Sequence, residues 1–481
     1  MKLNVPYKLL LLPLNLLLIT QLLTAQQSLR LPSILSDHML LQQKSEVKFW
    51  GWADPRTKIK IIPEWSKDTM LVTASEKAKW ETTLQTPESG GPYTIQVLSD
   101  DKNITINDVL IGELWLCSGQ SNMEYNVNKG VADAKEALAD CENNQVRFFF
   151  VKKATAEYPQ DDCTGYWKVC NAESMQWFSS VGYFFGQKLY ENLGIPIGLI
   201  NSNWGGTPVE TWTPIDKIEN PEKVIKEAGV MKKSPGWDNT VSSTYNAMLH
   251  PLIKMKIAGA IWYQGEANCP NAYSYSGLLA NMIEAWRDKF QTDLPFYFVQ
   301  IAPFQRYPIP FSAALIREQQ EKVQDLVEKT GMVVISDQVD DLNNIHPKYK
   351  KQVGYRLANY ALGETYGRDV PEYKFATLDK QEIEKDRIRV FFNDASNGIV
   401  AKGKEIEGLE IAAADNVFHP AEGKIDAKTN TLIVESNEVK KPLYVRYAFG
   451  NGIIGNLFDT SGLPVAPFRT DNIIYDLKQK E

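Results

Sequence analysis

Histidine is scarce in this chain: there are only four, His38, His250, His346 and His419, among 481 residues. Cysteine is scarce as well. Its five residues are an odd number and too few to staple a chain of this length into a disulfide scaffold. No CxxC pair and no paired Cys/His spacing occurs, so a structural metal site has no set of ligands to draw on. Cys163 and Cys170 are placed to pair across a short loop. Positive charge is not in excess, since 52 Lys and Arg against 59 Asp and Glu leave a net charge of -7. A phosphate backbone would find no basic footprint here, and nucleic acid is not an expected partner. Long apolar runs are missing too, apart from residues 1–25, MKLNVPYKLLLLPLNLLLITQLLTA. There Lys2 and Lys8 stand at the start, Pro13 and Asn15 interrupt the leucines, and Ala25 closes the stretch. That pattern is expected of a cleaved secretory signal, hence of a secreted or periplasmic protein with no membrane segment after cleavage.

The remaining chain, in a sequence 43% hydrophobic and 23% charged, has material for two or three globular domains. Residues 26–108 alternate apolar and polar side chains in short runs, VKFWGW (47–52), KIKII (58–62), KWETTL (79–84) and YTIQVL (93–98), punctuated by Asp54-Pro55 and Gly90-Gly91-Pro92. Such period-two runs predict an antiparallel β domain, a small sandwich. Over 109–368 the pattern changes. VLIGELWLC (109–117), PIGLINSNWG (196–205), IAGAIWYQGE (257–266), FYFVQIAPF (296–304) and MVVISDQ (332–338) are nearly continuous apolar runs, as strands buried on both faces require. Between them, VGYFFGQKLYENL (181–193) and YSGLLANMIEAWRDKF (275–290) carry helical spacing, which predicts a three-layer α/β domain with a mainly parallel sheet. Residues 369–481 return to alternation in RIRVFF, LIVES and PLYVRYAF, a further β-rich region.

In open α/β sheets the chemistry sits beyond the carboxyl ends of the strands. The first run ends in Gly119-Gln120-Ser121-Asn122, the second in Asn203-Trp204-Gly205-Gly206-Thr207, the third in Gln264-Gly265-Glu266-Ala267-Asn268, and the fifth leads on to His346. A serine at the start of a helix commonly caps it, so the motif around Ser121 suits a cap as well as a nucleophile. A nucleophilic serine needs a base, and histidine is the usual one. His38 and His419 fall in the flanking β segments and His250 follows a helical stretch, YNAML, which leaves His346, in a polar loop before the predicted helix KYKKQVGYRLANYAL (348–362). The anion formed by attack on a carbonyl needs donors already in place, and the amides of Ser121 and Gly205 with the side chain of Gln264 are candidates. A plain turn at Gly205-Gly206 and a helix cap near Gln264 fit those residues equally. Trp204 and Trp262 sit inside the same motifs, either as a sugar-stacking surface or as core.

GQSNM (119–123), WGGT (204–207), WYQGEAN (262–268) and IHP (345–347) together resemble the sialate O-acetylesterases, a branch of the SGNH-type serine esterases, and so do LPSILSDHMLLQQ (31–43), GGPYTI (90–95) and YNAML (245–249). The resemblance extends over nearly all of the chain after residue 25. It implies a flavodoxin-like SGNH domain with flanking β-sandwich-like segments, and a secreted enzyme that removes O-acetyl groups from sialic acids or related sugars through an acyl-serine intermediate, without metal or cofactor. It implies Ser121 as nucleophile, His346 as base, and Gly205 and Gln264 as oxyanion partners. Ser121 is not in a GxSxG elbow, so the α/β-hydrolase template does not apply. One departure stands out: where related sequences carry an aspartate two or three residues before the histidine, this chain has Asn344 and Asn343. Asp341 and Asp340 lie in the same loop, and Asp341, the nearer, is the candidate to orient His346. Two other readings stay open: an esterase of acetylated plant polysaccharide such as xylan, and a carbohydrate-binding protein that has lost catalysis.

Overall fold

The computed structural model describes residues 29–218, 221–228 and 239–477; the signal-like segment 1–25 lies outside them. The N-terminal region contains two sheets. Glu46–Trp52 pairs antiparallel with Lys79–Gln85, and Lys58–Pro63 lies between Met70–Thr73 and Gly90–Leu98. Their alternate residues, among them Val47, Leu84, Ile59 and Ile95, are buried in one core, which is what period two on a half-solvated sheet produces. Gly90–Leu98 then pairs with the first part of β1 (Asn103–Gly119), one strand of 17 residues that carries the chain into the central sheet. The burial of β1 changes along its length. It alternates at first and is unbroken from Val109 onward, where layers cover both faces.

The central sheet adds β2 (Asn143–Val151), β3 (Gly165–Cys170), β4 (Ile197–Asn203), β5 (Gly259–Tyr263), β6 (Phe296–Val299) and β7 (Thr330–Val333). Their order is β7-β6-β5-β1-β4-β2-β3. Every neighbouring pair is parallel except β2 and β3. Around it stand the short α1 (Ser121–Glu124) and the longer α2 (Ser180–Leu193), α3 (Tyr275–Phe290), α4 (Ser312–Leu326) and α5 (Lys351–Tyr360), with α2 packed on α5 and α3 on α4. From β1 the chain moves to one side for β2, β3 and β4, then to the other for β5, β6 and β7. β1 is therefore the switch point of the sheet, where a crevice opens outside the strand ends. The register aligns that crevice, for Gly119 at the end of β1 lies beside Asn203 of β4 and Tyr263 of β5.

Two further four-stranded sheets follow, with a core of their own that includes Ile388, Val390, Ile411, Leu432 and Val445. The chain then returns to the central α/β domain. Arg469 pairs with Glu318 of α4 at 3.1 Å, and the amide of Tyr475 donates to the Tyr273 hydroxyl at 2.7 Å.

The Cys163–Cys170 pairing that the sequence left open is not made; all five cysteines are free and buried. Cys170 ends β3, and Cys163 precedes its first residue. An extended strand rises about 3.3 Å per residue, which holds the two far beyond the Cα separation of a disulfide.

Candidate active site

Ser121 owes its position to Gly119. The φ of Gly119 is +133°, and a Cβ there would come within 2.2 Å of the Tyr263 carbonyl oxygen. This tight exit lets the amide of Gln120 donate to the Tyr263 carbonyl at 2.9 Å while the Gly119 carbonyl accepts from Trp204 at 3.0 Å. Gln120 is the N-cap of α1 and Ser121 its first residue, so the serine hydroxyl does not cap the helix. Its Oγ lies 2.8 Å from Nε2 of His346.

His346 sits between β7 and α5, in a loop anchored by Asp337, whose two carboxylate oxygens take the Arg356 guanidinium at 2.7 and 2.6 Å. The His346 amide donates to Asn344 Oδ1 at 3.0 Å, and its ring stacks on Tyr125. Burial pushes the imidazole pKa down to about 4, helped by the ammonium groups of Lys350 and Lys129 and opposed by Glu124. The ring is neutral at ordinary pH, and for Nε2 to accept from Ser121 its proton must reside on Nδ1.

Asp341 does not reach that nitrogen. Its Oδ1 accepts from the amide of Asn343 at 2.8 Å, an aspartate bonding the backbone two residues on, and this local turn holds the carboxylate in its own exposed loop. Asp340 pairs with Lys348 at 2.8 Å instead. Among the described residues no carboxylate hydrogen-bonds His346.

The oxyanion candidates divide. The amide of Ser121 is one of the orphan donors that every helix start leaves free. The amide of Gly205 is spent on Glu124 Oε2 at 2.7 Å. Glu124 also pairs with Lys129 and, at 2.7 Å, with Lys153. Burial works to raise its pKa, and hydrogen bonds from the two ammonium groups outweigh burial and hold it low. The next amide in the turn, Gly206, lines the cavity and donates to none of the described residues; its φ of +79° is a conformation glycine adopts without strain. Gln264 is not brought to Ser121. Its Nε2 donates to Asn268 Oδ1 at 2.7 Å and to the Thr207 carbonyl at 3.3 Å, and its Oε1 accepts from Tyr275 at 2.9 Å. A primary amide has two N–H donors, and both are used inside the protein.

Ser121, His346, Gly205, Gly206 and Trp204 line one large cavity, while Trp262 on β5 is wholly enclosed in the core. Gln120 also faces this cavity, with Oε1 held by the Ala267 amide at 3.1 Å. Lys129, Lys153 and Lys226 give its wall positive groups. Sequence reasoning passed over Gln120, Glu124 and Tyr125. The signal for Glu124 was present, since three residues after Ser121 on a helix means the same face. Among the described residues no group of three or more His, Cys, Asp or Glu is arranged to hold a metal ion, and no helix is long and apolar enough to cross a membrane.

Residues 111–363 match the family described as carbohydrate esterase, sialic acid-specific acetylesterase. The sialate O-acetylesterases of Pongo abelii and Homo sapiens are each 31% identical over 395 residues, spanning 74% of this chain and 74% of theirs. That of Mus musculus is 30% identical over 398 residues, spanning 70% of this chain and 74% of its own. The crystal structure of a carbohydrate acetylesterase from Xanthomonas citri superposes with a TM-score of 0.83 at 33% identity, covering 92% of this chain and 100% of that one. With that fold, and with these motifs meeting at the switch point of the sheet, the chain belongs to the sialic acid-specific acetylesterase family of carbohydrate esterases.

Proposed function

We propose that this protein is an exported esterase that removes acetyl groups from hydroxyls of sialic acid, the 9-O-acetyl group among them, through an acetyl-serine intermediate. The observation that carries the reading is the 2.8 Å approach of Ser121 Oγ to His346 Nε2 at the crevice of the sheet. His346 takes the hydroxyl proton as Oγ attacks the acetyl carbonyl, and returns it to the sugar oxygen as that leaves. The amides of Ser121 and Gly206 receive the negative oxygen of the tetrahedral intermediate. Water, activated by the same imidazole, then releases acetate.

The lysines of the cavity wall support an acidic sugar over a neutral polysaccharide. Lys129, Lys153, Lys223 and Lys226 stand against three carboxylates in the same wall, Glu124, Glu266 and Asp476, with Glu124 pairing with the first two lysines, and a sialate carboxylate would complement the remaining positive charge. Export rests on the signal-like residues 1–25.

Acetate release from 9-O-acetylated sialic acid and from acetylated xylan, measured side by side with native protein and Ser121→Ala, tests both parts. Turnover of the sialate by native protein alone is expected, with a loss in Ser121→Ala down to the ~10³ to 10⁴ over water that binding and donors still supply. Xylan as the better substrate would overturn the sugar assignment, and an active Ser121→Ala would overturn the mechanism.

A further inference from the structure

Beneath Ser121 lie three buried polar groups to which the chemistry assigns no part, Asn122, Lys350 and Glu266, the last of them at the cavity wall. Asn122 and Lys350 have no exposed surface, and Glu266 is 7% exposed. Lys350 Nζ donates to Asn122 Oδ1 at 2.7 Å, and Asn122 Nδ2 donates to Glu266 Oε1 at 2.5 Å and to the Ile345 carbonyl at 3.1 Å. Asn122 directly follows the nucleophile, and it grips the peptide that directly precedes His346. Lys350, four residues beyond the histidine, comes back to the same side chain. Asp133 Oδ2 fixes the start of α5 by accepting the amides of Lys350 and Lys351, each at 2.7 Å. The loop bearing His346 is held on both sides of the ring, and both holds converge on Asn122.

A buried ammonium costs free energy that packed apolar side chains of similar volume do not. Burial pulls the Lys350 pKa down to about 7 against Glu266, Asp133 and Asp340, and raises that of Glu266, whose Oε2 has no hydrogen-bond partner among the described residues. The Tyr263 ring lies 5.2 Å from Nζ. Such an arrangement adds nothing that a hydrophobic core would lack, except that it fixes one amide in one orientation.

We propose that Asn122, oriented by Lys350 and Glu266, is the positioning residue that sets the Ser121–His346 separation, in place of a triad carboxylate. This rests on reading Ser121 and His346 as nucleophile and base. Lys350 acts in a second way, because its positive charge disfavours the imidazolium. The other charges facing His346 are Lys129, of the same sign, and Glu124, of the opposite one.

The test compares kcat, KM and the pH profile of native protein, Lys350→Met, Asn122→Asp and the double variant Lys350→Met/Glu266→Gln, with folding followed by circular dichroism. Asn122→Asp keeps the shape and the acceptor for Lys350 but loses the donors. The double variant removes both buried charges, so it stays informative where Lys350→Met alone fails to fold. Misplacement by a fraction of an ångström should lower kcat by at least about tenfold in all three, with KM within about twofold. In both Lys350 variants the acid limb of kcat/KM should move to higher pH, a change that a merely structural lysine would not produce. A folded double variant with kcat within about threefold of native and an unmoved acid limb would overturn the proposal. Ser121→Ala separates the two readings: if it is inactive while the Lys350 variants match native protein, only the clamp fails, and if it is active, the nucleophile assignment fails first.

Discussion

The ring of Tyr125 lies face to face with the imidazole of His346, 4.1 Å between centroids and 18° from parallel. Tyr125 is the last-turn neighbour of the nucleophile's helix, so the segment that carries the serine also supports the histidine. With no carboxylate among the described residues bonded to the ring, this stack restrains its rotation. Such pairs contribute about 0.5 to 1.5 kcal/mol. Tyr125→Ala should therefore lower kcat about three- to tenfold, and Tyr125→Phe should stay close to native. Steady-state kinetics on a small acetyl ester would check both; equal losses in the two variants would point to the hydroxyl instead.

The low pKa of His346 sets a pH window. Activity requires the neutral ring, and with the pKa pushed down to about 4 by burial, Lys350 and Lys129, kcat/KM on an uncharged ester should hold its plateau to near pH 4. An ordinary histidine would lose activity near 6.5. Stability follows the same group with a definite sign. The unfolded chain binds a proton at about 6.5 that the folded protein refuses until about 4, so this contribution is full above the first value and is lost as pH falls toward the second. Denaturant midpoints measured across that range would show the decline.

Asp341 should prove dispensable for the chemistry. Because its carboxylate serves the Asn343 amide, Asp341→Asn is expected to retain kcat within about threefold, against the ~10⁴ lost when a triad aspartate is neutralised. A loss on the larger scale would mean that the loop rearranges when substrate binds.

Gln264 should matter for stability before catalysis. Removing its amide leaves the Thr207 carbonyl without a partner in the core and takes one hydrogen bond each from Asn268 and Tyr275, which keep the Val209 amide and the residue 264 carbonyl; an unsatisfied buried group costs about 1 to 3 kcal/mol. Gln264→Ala is expected to melt several degrees lower, while the folded fraction keeps kcat within a few-fold. A drop of about 10² in kcat at unchanged melting temperature would restore it to the oxyanion hole.

Where β1, β4, β5 and β6 run was legible because strands covered on both faces leave uninterrupted apolar sequence. The run at 332–338 overshoots: β7 is Thr330–Val333, and Ser336–Gln338 is already a helical turn, since the apolar side chains there are buried without belonging to the sheet. YNAML is helical as its pattern suggests, but wound as a π turn over Tyr245–Leu249, a choice that side-chain spacing does not encode. β2 gave a weak signal, because only the later part of NNQVRFFFV is apolar.

The sequence by itself determined the fully buried strands β1, β4, β5 and β6, the placing of Ser121 at the first strand end and, through the scarcity of histidine, the one imidazole available in a loop beyond a strand. These are local properties, set by periodicity, glycine and composition. Tertiary structure decided what each polar group bonds. Ser121 and His346 are 225 residues apart in sequence and 2.8 Å apart in space. Whether Gly205 faces substrate or Glu124, whether Gln264 is a donor or a strut, and whether Asp341 meets an imidazole or an amide two residues on all depend on distances between loops. An amide or carboxylate bonds whatever folding leaves within about 3 Å of it, and no neighbour in the sequence specifies that.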